Sequence, residues 1–477
     1  MSPSATATNG DAKHGARPTA ILHRTPFRPP VASSAEGIYV TLEDGRQIID
    51  AVGGAAVACI GNGHPAVKKA LKEQVDKVSY VYNMQLSNEP AEELAQYLVE
   101  SSKGAFDLVG FVSGGSEAME GVIKTARQYF YESGQPQRKH FIARQLSFHG
   151  NTLATLSLAY HPTRRAPYAD LLNTENFHHV SPAYAARFKG KEETEEQYVE
   201  RLRKELEDKF EELGGDKVIG FVAETVVGAT TGVVAAPKGY FKAMKSVCDK
   251  YGALFILDEV MSGMGRMGTL HAWESYGDGV APDLQAVAKG LGGGYAAIGA
   301  VLVSKRVADG LRAPTGFWKH GHTYQANPLA CAAALAVQRV IASEGLLQNV
   351  RDVVAPTMSA LLRERLLGPN ALARPYVFDL RGGGAWWAVE FEFEEGEKEG
   401  RVDLGRLRGE PFALAVQARA LENGLVVMGF NGGSSVDGKR GNHCMLSPAY
   451  NVTREQVETI VDVFVRSVEE VLKTILV

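Results

Sequence analysis

The chain has 477 residues, of which 45% are hydrophobic and 22% charged, and its 51 basic and 55 acidic side chains give a net charge of −4. This length exceeds what one hydrophobic core usually organises, so we expect one large and one smaller domain. The slight acidity argues against a nucleic-acid or anionic-membrane surface, and no apolar run approaches the roughly 18–20 residues that span a bilayer.

The beginning of the chain and its cysteines bear on the compartment. Residues 1–30 are polar and rich in Ser, Thr, Ala and Pro, without the apolar core of a secretory signal. We expect this segment to be disordered and the protein to be cytoplasmic. An organellar transit peptide is the alternative, because the segment holds few acids and several arginines. The four cysteines are scattered without a C-x-x-C pair, which predicts buried thiols and no disulfide framework or metal site.

The predicted elements begin with a hairpin at 37–50, where polar and apolar residues alternate around a Glu-Asp-Gly turn, and a helix at 64–78. Short apolar runs then alternate with helical stretches. Continuous apolarity on short strands separated by helices indicates a sheet that is covered on both faces. The charged stretch 189–213 predicts a solvated helix, and 327–343 predicts another helix. The apolar runs are 106–112, 140–144, 218–224, 253–259, 284–289 and 297–304.

The pattern changes after the helix at 327–343. Residues 372–477 mix alternating strands with amphipathic helices, which is typical of a smaller α+β domain, and the N-terminal hairpin is expected to join it. The predicted division is an N-terminal part of the small domain at 31–75, a large domain at 76–335 and a C-terminal small domain at 336–477.

Four stretches carry residue types that favour chemistry, and the first follows the run at 106–112. FVSGGSEAMEGVIKTARQY leads from a strand through Gly114 into a helix. The free N–H groups and dipole of a helix start favour an anion, so a phosphate would fit Gly115 and Ser116. An equally good interpretation is a capping sequence with Ser116 as the N-cap.

The second stretch is QLSFHGNTLATLS at 145–157, which follows the strand at 140–144. Phe148 and His149 would lie at the end of that strand, where an aromatic ring can cover a flat ligand. Taken alone, the pattern favours a core phenylalanine and a hydrogen-bonded turn histidine.

The other two stretches end buried strands in charged residues. The runs at 218–224 and 253–259 would bring Glu224, Asp258 and Glu259 to one edge of a parallel sheet, although helix caps or ion pairs would explain them too. Lys289 ends a third run and precedes a glycine-rich segment, so burial could hold it as the neutral amine that forms Schiff bases. A surface lysine is the alternative. Together, a phosphate cradle, an aromatic lid, an aspartate and such a lysine match what pyridoxal phosphate requires.

Residues 35–465 resemble a class III (ornithine/ω-amino acid type) aminotransferase. The motifs occur in the family's order, namely GNGHPAV, SGGSEAMEGVIKTAR, FHG, AETVVG, ILDEVMSGMGRMG, DLQAVAKGLGGGY and GHTYQANPLACAAALA. The resemblance implies an α/β fold of type I among pyridoxal-phosphate enzymes. In that fold a large domain has a mainly parallel seven-stranded sheet between helices, beside a smaller α+β domain.

The resemblance also implies site residues. Lys289 would hold pyridoxal 5′-phosphate as a Schiff base and move the proton, and Asp258 would pair with the pyridine nitrogen. Phe148 and Val260 would lie on the two faces of the ring, and a homodimer would bring Thr323 from the partner subunit. The cofactor contacts implied are Gly115, Ser116, Phe148, His149, Glu224, Asp258, Val260, Lys289 and Thr323.

The chain departs from the family pattern at two positions. Met261 stands where many members have a glutamine that contacts the cofactor, and Met445 lies where some relatives carry a carboxylate-binding arginine. Arg440 and Arg381 are nearby replacements, and the small side chains of residues 53–59 would enlarge the substrate pocket. The expected substrate contacts are Tyr82, Glu224 and Arg440.

The reaction implied is transfer of an amino group from an amine or ω-amino acid to a keto acid such as pyruvate, by a ping-pong mechanism through Lys289. The alternatives are an isomerase (an aminomutase, racemase or epimerase), a decarboxylating transaminase on the same scaffold, and a catalytically silent dimeric scaffold.

Overall fold

A computed structural model describes residues 19–477 of the protein. The expectation of disorder for residues 1–30 therefore falls mostly outside the described residues, and residues 19–30 form bends and coil. The strands are Ala32–Glu36 (β1), Tyr39–Leu42 (β2), Gln47–Asp50 (β3), Leu108–Val112 (β4), His140–Arg144 (β5), Phe177–Val180 (β6), Val218–Glu224 (β7), Val226–Val227 (β8), Val234–Ala235 (β9), Leu254–Asp258 (β10), Leu284–Val287 (β11), Gly299–Val303 (β12), Val377–Gly383 (β13), Trp386–Phe391 (β14), Leu425–Val426 (β15), Met428–Asn431 (β16) and Asn442–Leu446 (β17).

Several helices begin at sequence signals for helix starts. A capping side chain followed by proline in the first turn opens three of them, at His64, Asn88 and Asn327. The α-helices are Gly53–Ala56 (α1), Pro65–Lys77 (α2), Glu89–Ser101 (α3), Gly115–Glu132 (α4), Leu153–Leu158 (α5), Pro162–Arg165 (α6), Ala185–Phe188 (α7), Glu195–Leu213 (α8), Tyr240–Tyr251 (α9), Lys305–Arg312 (α10), Pro328–Ser343 (α11), Leu346–Asn349 (α12), Ala355–Leu367 (α13), Glu394–Lys398 (α14), Phe412–Glu422 (α15) and Arg454–Ile475 (α16). Shorter 3₁₀ turns are Ala166–Leu171, Gly215–Lys217, Ala272–Tyr276, Lys289–Leu291, Arg374–Tyr376 and Leu404–Leu407, and Val350–Val354 is π-helical.

The largest sheet has seven strands in the order β4-β12-β11-β10-β7-β5-β6. Strands β11, β10, β7, β5 and β6 run parallel to one another, and β12 runs antiparallel to both β11 and β4. The mainly parallel seven-stranded sheet is therefore confirmed. Strand β6 was not predicted, because two histidines interrupt its apolar residues and it lies at the edge of the sheet.

Helices cover both faces of this sheet, as the apolar runs predict. In β10, Leu254 and Ile256 pack into a core with α4 and α10, while Phe255 and Leu257 pack into a core with α8 and α9. Because its two faces are both buried, β10 is apolar throughout rather than alternating. Helix α8 is more than a solvated helix, since one stripe of it joins the second core.

Three smaller sheets lie outside the large one within residues 19–477, and one of them is the two-stranded sheet β8-β9. The N-terminal hairpin is confirmed. Because β15 pairs in parallel with β3, an N-terminal and a C-terminal part of the chain share the sheet β1-β2-β3-β15. The antiparallel sheet β13-β14-β17-β16 contributes to a core with α13, α15 and α16. All four cysteines are buried and unpaired.

No single helix within residues 19–477 is long and apolar enough to cross a membrane. The helices Pro328–Ser343 and Leu346–Leu367, which meet at a bend of 61°, reach that length and apolar composition only when taken together.

Candidate active site

The charged residues predicted for the site lie close together where the central strands end. Strands β7 and β10 pair in register, so their last residues, Glu224 and Asp258, are neighbours, and Lys289 follows the end of β11. These residues border a cavity of about 260 Å³. Eight predicted site residues line it, namely Gly115, Ser116, Phe148, His149, Glu224, Asp258, Val260 and Lys289.

Asp258 is buried and held in place from two sides. Its Oδ2 lies 2.8 Å from Nδ1 of His149, and its Oδ1 accepts a hydrogen bond from the N–H of Val260 at 3.0 Å. Each carboxylate oxygen can accept a second hydrogen bond, so the group can still meet a donor within the cavity. The other ring nitrogen of His149, Nε2, is buried without a partner among the described residues.

Glu224 is the second acid of the cavity. Its Oε1 accepts from the N–H of Phe148 and its Oε2 from the N–H of Gly228, both at 3.0 Å. Burial raises the pKa of Glu224, although His149 and these two hydrogen bonds act in the opposite direction. Because Glu224 bonds the backbone beside Phe148, it also positions that ring.

Lys289 begins the 3₁₀ turn Lys289–Leu291 and is half-buried. Its φ of 40° lies in the left-handed region, an uncommon conformation for a lysine, and the N–H groups of Gly292 and Gly293 bond its carbonyl. Burial lowers the pKa of Lys289, while the charges of Asp258 and Glu224 raise it. The net lowering favours the neutral amine needed for attack on a carbonyl.

The start of α4 forms the opposite wall of the cavity. Gly114 is its N-cap and the helix begins at Gly115, so the interpretation of Ser116 as the N-cap is wrong. The first-turn N–H groups lack helical partners and, with the helix dipole, favour an anion. A Cβ added to Gly115 would lie 2.6 Å from Cγ1 of Val260, so only glycine permits this close approach. The hydroxyl oxygen of Ser116 accepts from the N–H of Asn151.

This set of groups fits pyridoxal 5′-phosphate. The start of α4 suits its phosphate, the Asp258 carboxylate suits a pyridine N–H, and the amine of Lys289 suits its aldehyde. The ring of Phe148 and the side chain of Val260 border the same space. Two observations support this fit: the hydrogen bond between Asp258 and His149, and the close approach of Gly115 to Val260 that only glycine allows.

Three predicted site residues lie elsewhere. Tyr82 and Thr323 are exposed and line a separate cavity, and the carbonyl of Thr323 accepts a hydrogen bond from Tyr80 at 3.0 Å. Arg440 is 63% exposed and lies 4.0 Å from Glu394, away from Lys289. A single chain therefore does not bring Tyr82, Thr323 or Arg440 to the cavity.

Arg381, the other arginine considered, is held in a buried network. Its guanidinium donates to Tyr184 and Glu390 at 2.7 and 2.8 Å, and to the carbonyl of Gly232 at 2.6 Å. These bonds occupy it outside the residues that line the cavity.

Sequence reasoning missed an apolar wall and a cation beside it. Val226 and Met261 line the cavity and belong to a cluster with Trp386 and Met445. The cation is Arg164 in α6, whose guanidinium carbon lies 4.7 Å from the centre of the Phe148 ring. The pair of arginines that follows the FHG motif was the available signal. The small residues at 53–59 do contribute Val57 to the cavity wall.

Comparisons with known proteins agree with this geometry. A family model described as "Aminotransferase class-III" matches residues 24–468. An uncharacterized aminotransferase of Schizosaccharomyces pombe is 41% identical over 472 residues, covering 98% of each chain. The mitochondrial gamma-aminobutyrate transaminase 1 of Oryza sativa subsp. indica is 30% identical over 470 residues, covering 96% of this chain and 85% of its own. The omega transaminase of Pseudomonas jessenii in complex with PMP has a TM-score of 0.81 and 29% identity, covering 93% of each chain.

Proposed function

Since the chain belongs to the class-III aminotransferase family and is a pyridoxal-phosphate-dependent aminotransferase, we propose that it transfers an amino group from an amine or ω-amino acid to a keto acid such as pyruvate. The observation that carries the proposal is the half-buried amine of Lys289 in one cavity with Asp258 and the anion-binding start of α4. The rice and Pseudomonas relatives are named for transaminase activity, which favours transfer over isomerisation.

In this proposal each residue of the cavity has its own role towards the cofactor. The start of α4 binds the cofactor's phosphate, and Phe148 and Val260 flank its ring. Asp258, kept in place by His149, holds a proton on the ring nitrogen. When bound, pyridoxal phosphate supplies an electron sink for the negative charge that develops as the donor loses its Cα proton.

Lys289 moves the protons. In the first half-reaction its Nζ would take the Cα proton of the donor and pass it to the carbon that was the cofactor's aldehyde, and in the second it would move a proton from that carbon to the former carbonyl carbon of the acceptor. Burial supports both roles because it lowers the pKa of Lys289 and so increases the fraction of neutral amine near neutral pH.

We further propose a homodimer in which Thr323 of one subunit completes the site of the other. Large apolar side chains are exposed around Thr323, and Tyr80 bonds its carbonyl and contacts Tyr324 edge-on at 5.9 Å. Exposed apolar patches of this kind mark protein interfaces. Light scattering should give twice the mass of the chain. The exposed apolar residues nearby are Tyr82, Met84, Leu86 and Phe317.

A cytoplasmic location is also proposed, supported by four unpaired, buried cysteines. Fluorescence microscopy of the full chain distinguishes it from import into an organelle.

Two separate half-reactions test the proposed transfer. Donors mixed with the holoenzyme should bleach the absorbance of the aldehyde form of the cofactor, and a keto acid added to the isolated amine form should restore it. Steady-state rates should give parallel double-reciprocal lines, as a ping-pong mechanism requires. Turnover of a single substrate without any keto acid would instead establish an isomerase.

A further inference from the structure

Arg164 is a cation beside the cavity that forms no ion pair within 4.0 Å with an acid of residues 19–477, although the charge of Glu224 reaches it. Its guanidinium carbon lies 4.7 Å from the centre of the Phe148 ring, and its Nη2 donates to the carbonyl of Ala229 at 3.0 Å. Phe148 and Ala229 both line the cavity. Arg164 is half-buried and lies behind these two lining residues, with the ring of Phe430 5.9 Å away on another side.

The hydrogen-bonding capacity of Arg164 is largely unused. A guanidinium has five N–H donors, and one bond of this side chain, to Ala229, is formed within residues 19–477. No carboxylate of those residues lies within 4.0 Å of it. Glu224 acts on Arg164 from a longer distance, and both oxygens of Glu224 already accept backbone N–H groups.

Burial and a second cation act on Arg164 in the same direction. Burial lowers the pKa of Arg164 and the charge of Arg24 lowers it further, while the charge of Glu224 acts in the opposite direction. A desolvated guanidinium beside a second cation is costly unless a negative group meets it. Arg164 in turn lowers the pKa of the nearby buried His161, which burial alone already depresses. The local charge is therefore suited to a carboxylate.

Neighbouring arginines are occupied and do not offer the same site. Arg165 donates to the carbonyl of Ala159 at 2.6 Å and lies over the ring of Tyr160. Arg144 is buried and donates to the carbonyl of Glu224, and Arg381 is ion-paired with Glu390. Arg164 is thus distinguished by both its position and its free donors.

We propose that Arg164 binds the carboxylate of the amino donor and of the keto-acid acceptor, so that the preferred donors are amino acids rather than simple amines. This inference rests on the proposed aminotransferase function and names its substrate class. A guanidinium can bind a carboxylate through two parallel hydrogen bonds, which orients it as well as holding it. The apolar cluster around Met261 forms a different part of the wall and would receive the carbon chain.

A matched donor series tests the proposal in the full-length holoenzyme. β-Alanine, 4-aminobutyrate and 5-aminovalerate are each compared with the n-alkylamine of equal carbon number, with pyruvate as acceptor. In Arg164→Gln, the KM of the best amino acid should rise about tenfold to a hundredfold, as expected for the loss of hydrogen bonds to a charged group. The KM of its alkylamine should change less than about twofold.

Three further variants make the result specific. Arg164→Lys keeps the charge but not the paired donors, so its KM should fall between those of wild type and Arg164→Gln. Arg165→Gln, one residue away, and Arg440→Gln, on the exposed loop, should leave the amino-acid KM unchanged. As a readout independent of turnover, butyrate should raise the melting temperature of the wild-type holoenzyme more than that of Arg164→Gln at equal ionic strength.

Two results would overturn the inference. One is an equal effect of Arg164→Gln on both members of a donor pair, because a residue that only positions Phe148 would act on both. The other is a rise in KM in Arg440→Gln with no rise in Arg164→Gln. If wild type transaminates neither kind of donor, the proposed function fails, and this inference with it.

Discussion

Asp258 and Glu259 are adjacent in the chain, but their carboxylates serve different parts of the molecule. Asp258 faces the cavity and pairs with His149, whereas Glu259 is fully buried and faces away from it. Glu259 accepts from the N–H groups of Ala272 and Trp273 at 2.8 and 2.7 Å. It therefore fixes the segment that follows β10, and thereby the backbone that carries Val260.

Glu259→Gln should destabilise the protein, most strongly at mildly acidic pH. Burial raises the pKa of Glu259 from 4.5 to about 7 despite its hydrogen bonds. The folded state therefore binds the proton more tightly, and wild type loses stability as pH rises from 4.5 to 7, by at most about 1.4 kcal/mol per pH unit. Urea unfolding across this range should show a difference in the free energy of unfolding between wild type and Glu259→Gln that becomes smaller towards pH 7. A widening gap would contradict the assignment.

The key residues could be singled out from sequence because they interrupt a strong pattern. Lys289 and Asp258 each end a buried apolar run, and their order along the chain matches a known family. The residue pattern alone did not separate the roles of Asp258 and Glu259, because they are adjacent where the same strand ends, and only the family resemblance assigned Asp258 to the cofactor. Arg164 could not be assigned, because its contacts with Phe148 and Ala229 exist only after folding.

At the scale of elements, the site depends on the close packing of β7 against β10. Gly220 pairs with Leu254, and each strand reaches its acid four residues later, at Glu224 and Asp258. A Cβ added to Gly220 would lie 2.4 Å from the carbonyl oxygen of Leu254. The spacing of the two acids is therefore coupled to a glycine at the far end of the same strands.

Gly220→Ala should destabilise the protein by about 1–3 kcal/mol. The added methyl group would meet the backbone carbonyl of Leu254, which cannot move aside as a flexible side chain can. Thermal unfolding of the holoenzyme measures this, and the donor half-reaction should slow at the same time. Gly190→Ala is the control, since its added Cβ would meet nothing nearer than 3.4 Å. Equal melting temperatures for Gly220→Ala and wild type would show that the strands tolerate separation.

Strands buried on both faces were predictable, whereas the edge strand β6 was not. The central strands β7 and β10 read as continuous apolar runs because helices cover both of their sides. Strand β6 lies at the edge with His178 and His179 partly exposed, so the sequence gives no strand signal there. The capping interpretation placed the start of α4 two residues too late, since the N-cap is Gly114, which has no side chain, and not Ser116.

At the scale of the whole molecule, a buried ion network joins the sheet β13-β14-β17-β16 to the segment before α8. Glu390 of β14 is fully buried and accepts from Arg187 at 3.0 Å, Arg381 at 2.8 Å and Tyr184 at 2.7 Å. The hydroxyl of Ser434 donates to it as well. Because Arg381 also binds the carbonyl of Gly232, the network ties this sheet to the loop that borders the cavity.

Glu390→Gln should cost about 3–5 kcal/mol at neutral pH, because it leaves two guanidiniums without their shared acid. Burial alone would raise the pKa of Glu390, but Arg381, Ser434 and Arg187 lower it from 4.5 to about 2. The stabilisation is therefore present above pH 4.5 and is lost as pH falls towards 2. Urea unfolding should show a smaller difference in the free energy of unfolding between wild type and Glu390→Gln at pH 3.5 than at pH 7.

Glu394→Gln is the control, because the side chain of Glu394 is exposed, and this variant should have the free energy of unfolding of wild type at both pH values. A gap that is constant from pH 7 to pH 3.5 would mean that the charge of Glu390 does not stabilise the fold. No sequence pattern marks this network, since its members come from distant parts of the chain.

The role of Lys289 is tested most directly by the donor half-reaction of Lys289→Ala. Stopped-flow absorbance should show that the variant binds the cofactor yet reacts at least about a thousandfold more slowly than wild type, because it lacks the proton-transferring amine. Borohydride reduction of wild type, followed by peptide mass spectrometry, should place the pyridoxyl group on Lys289 and on no peptide of Lys289→Ala. Donor conversion by Lys289→Ala within tenfold of the wild-type rate would contradict the account.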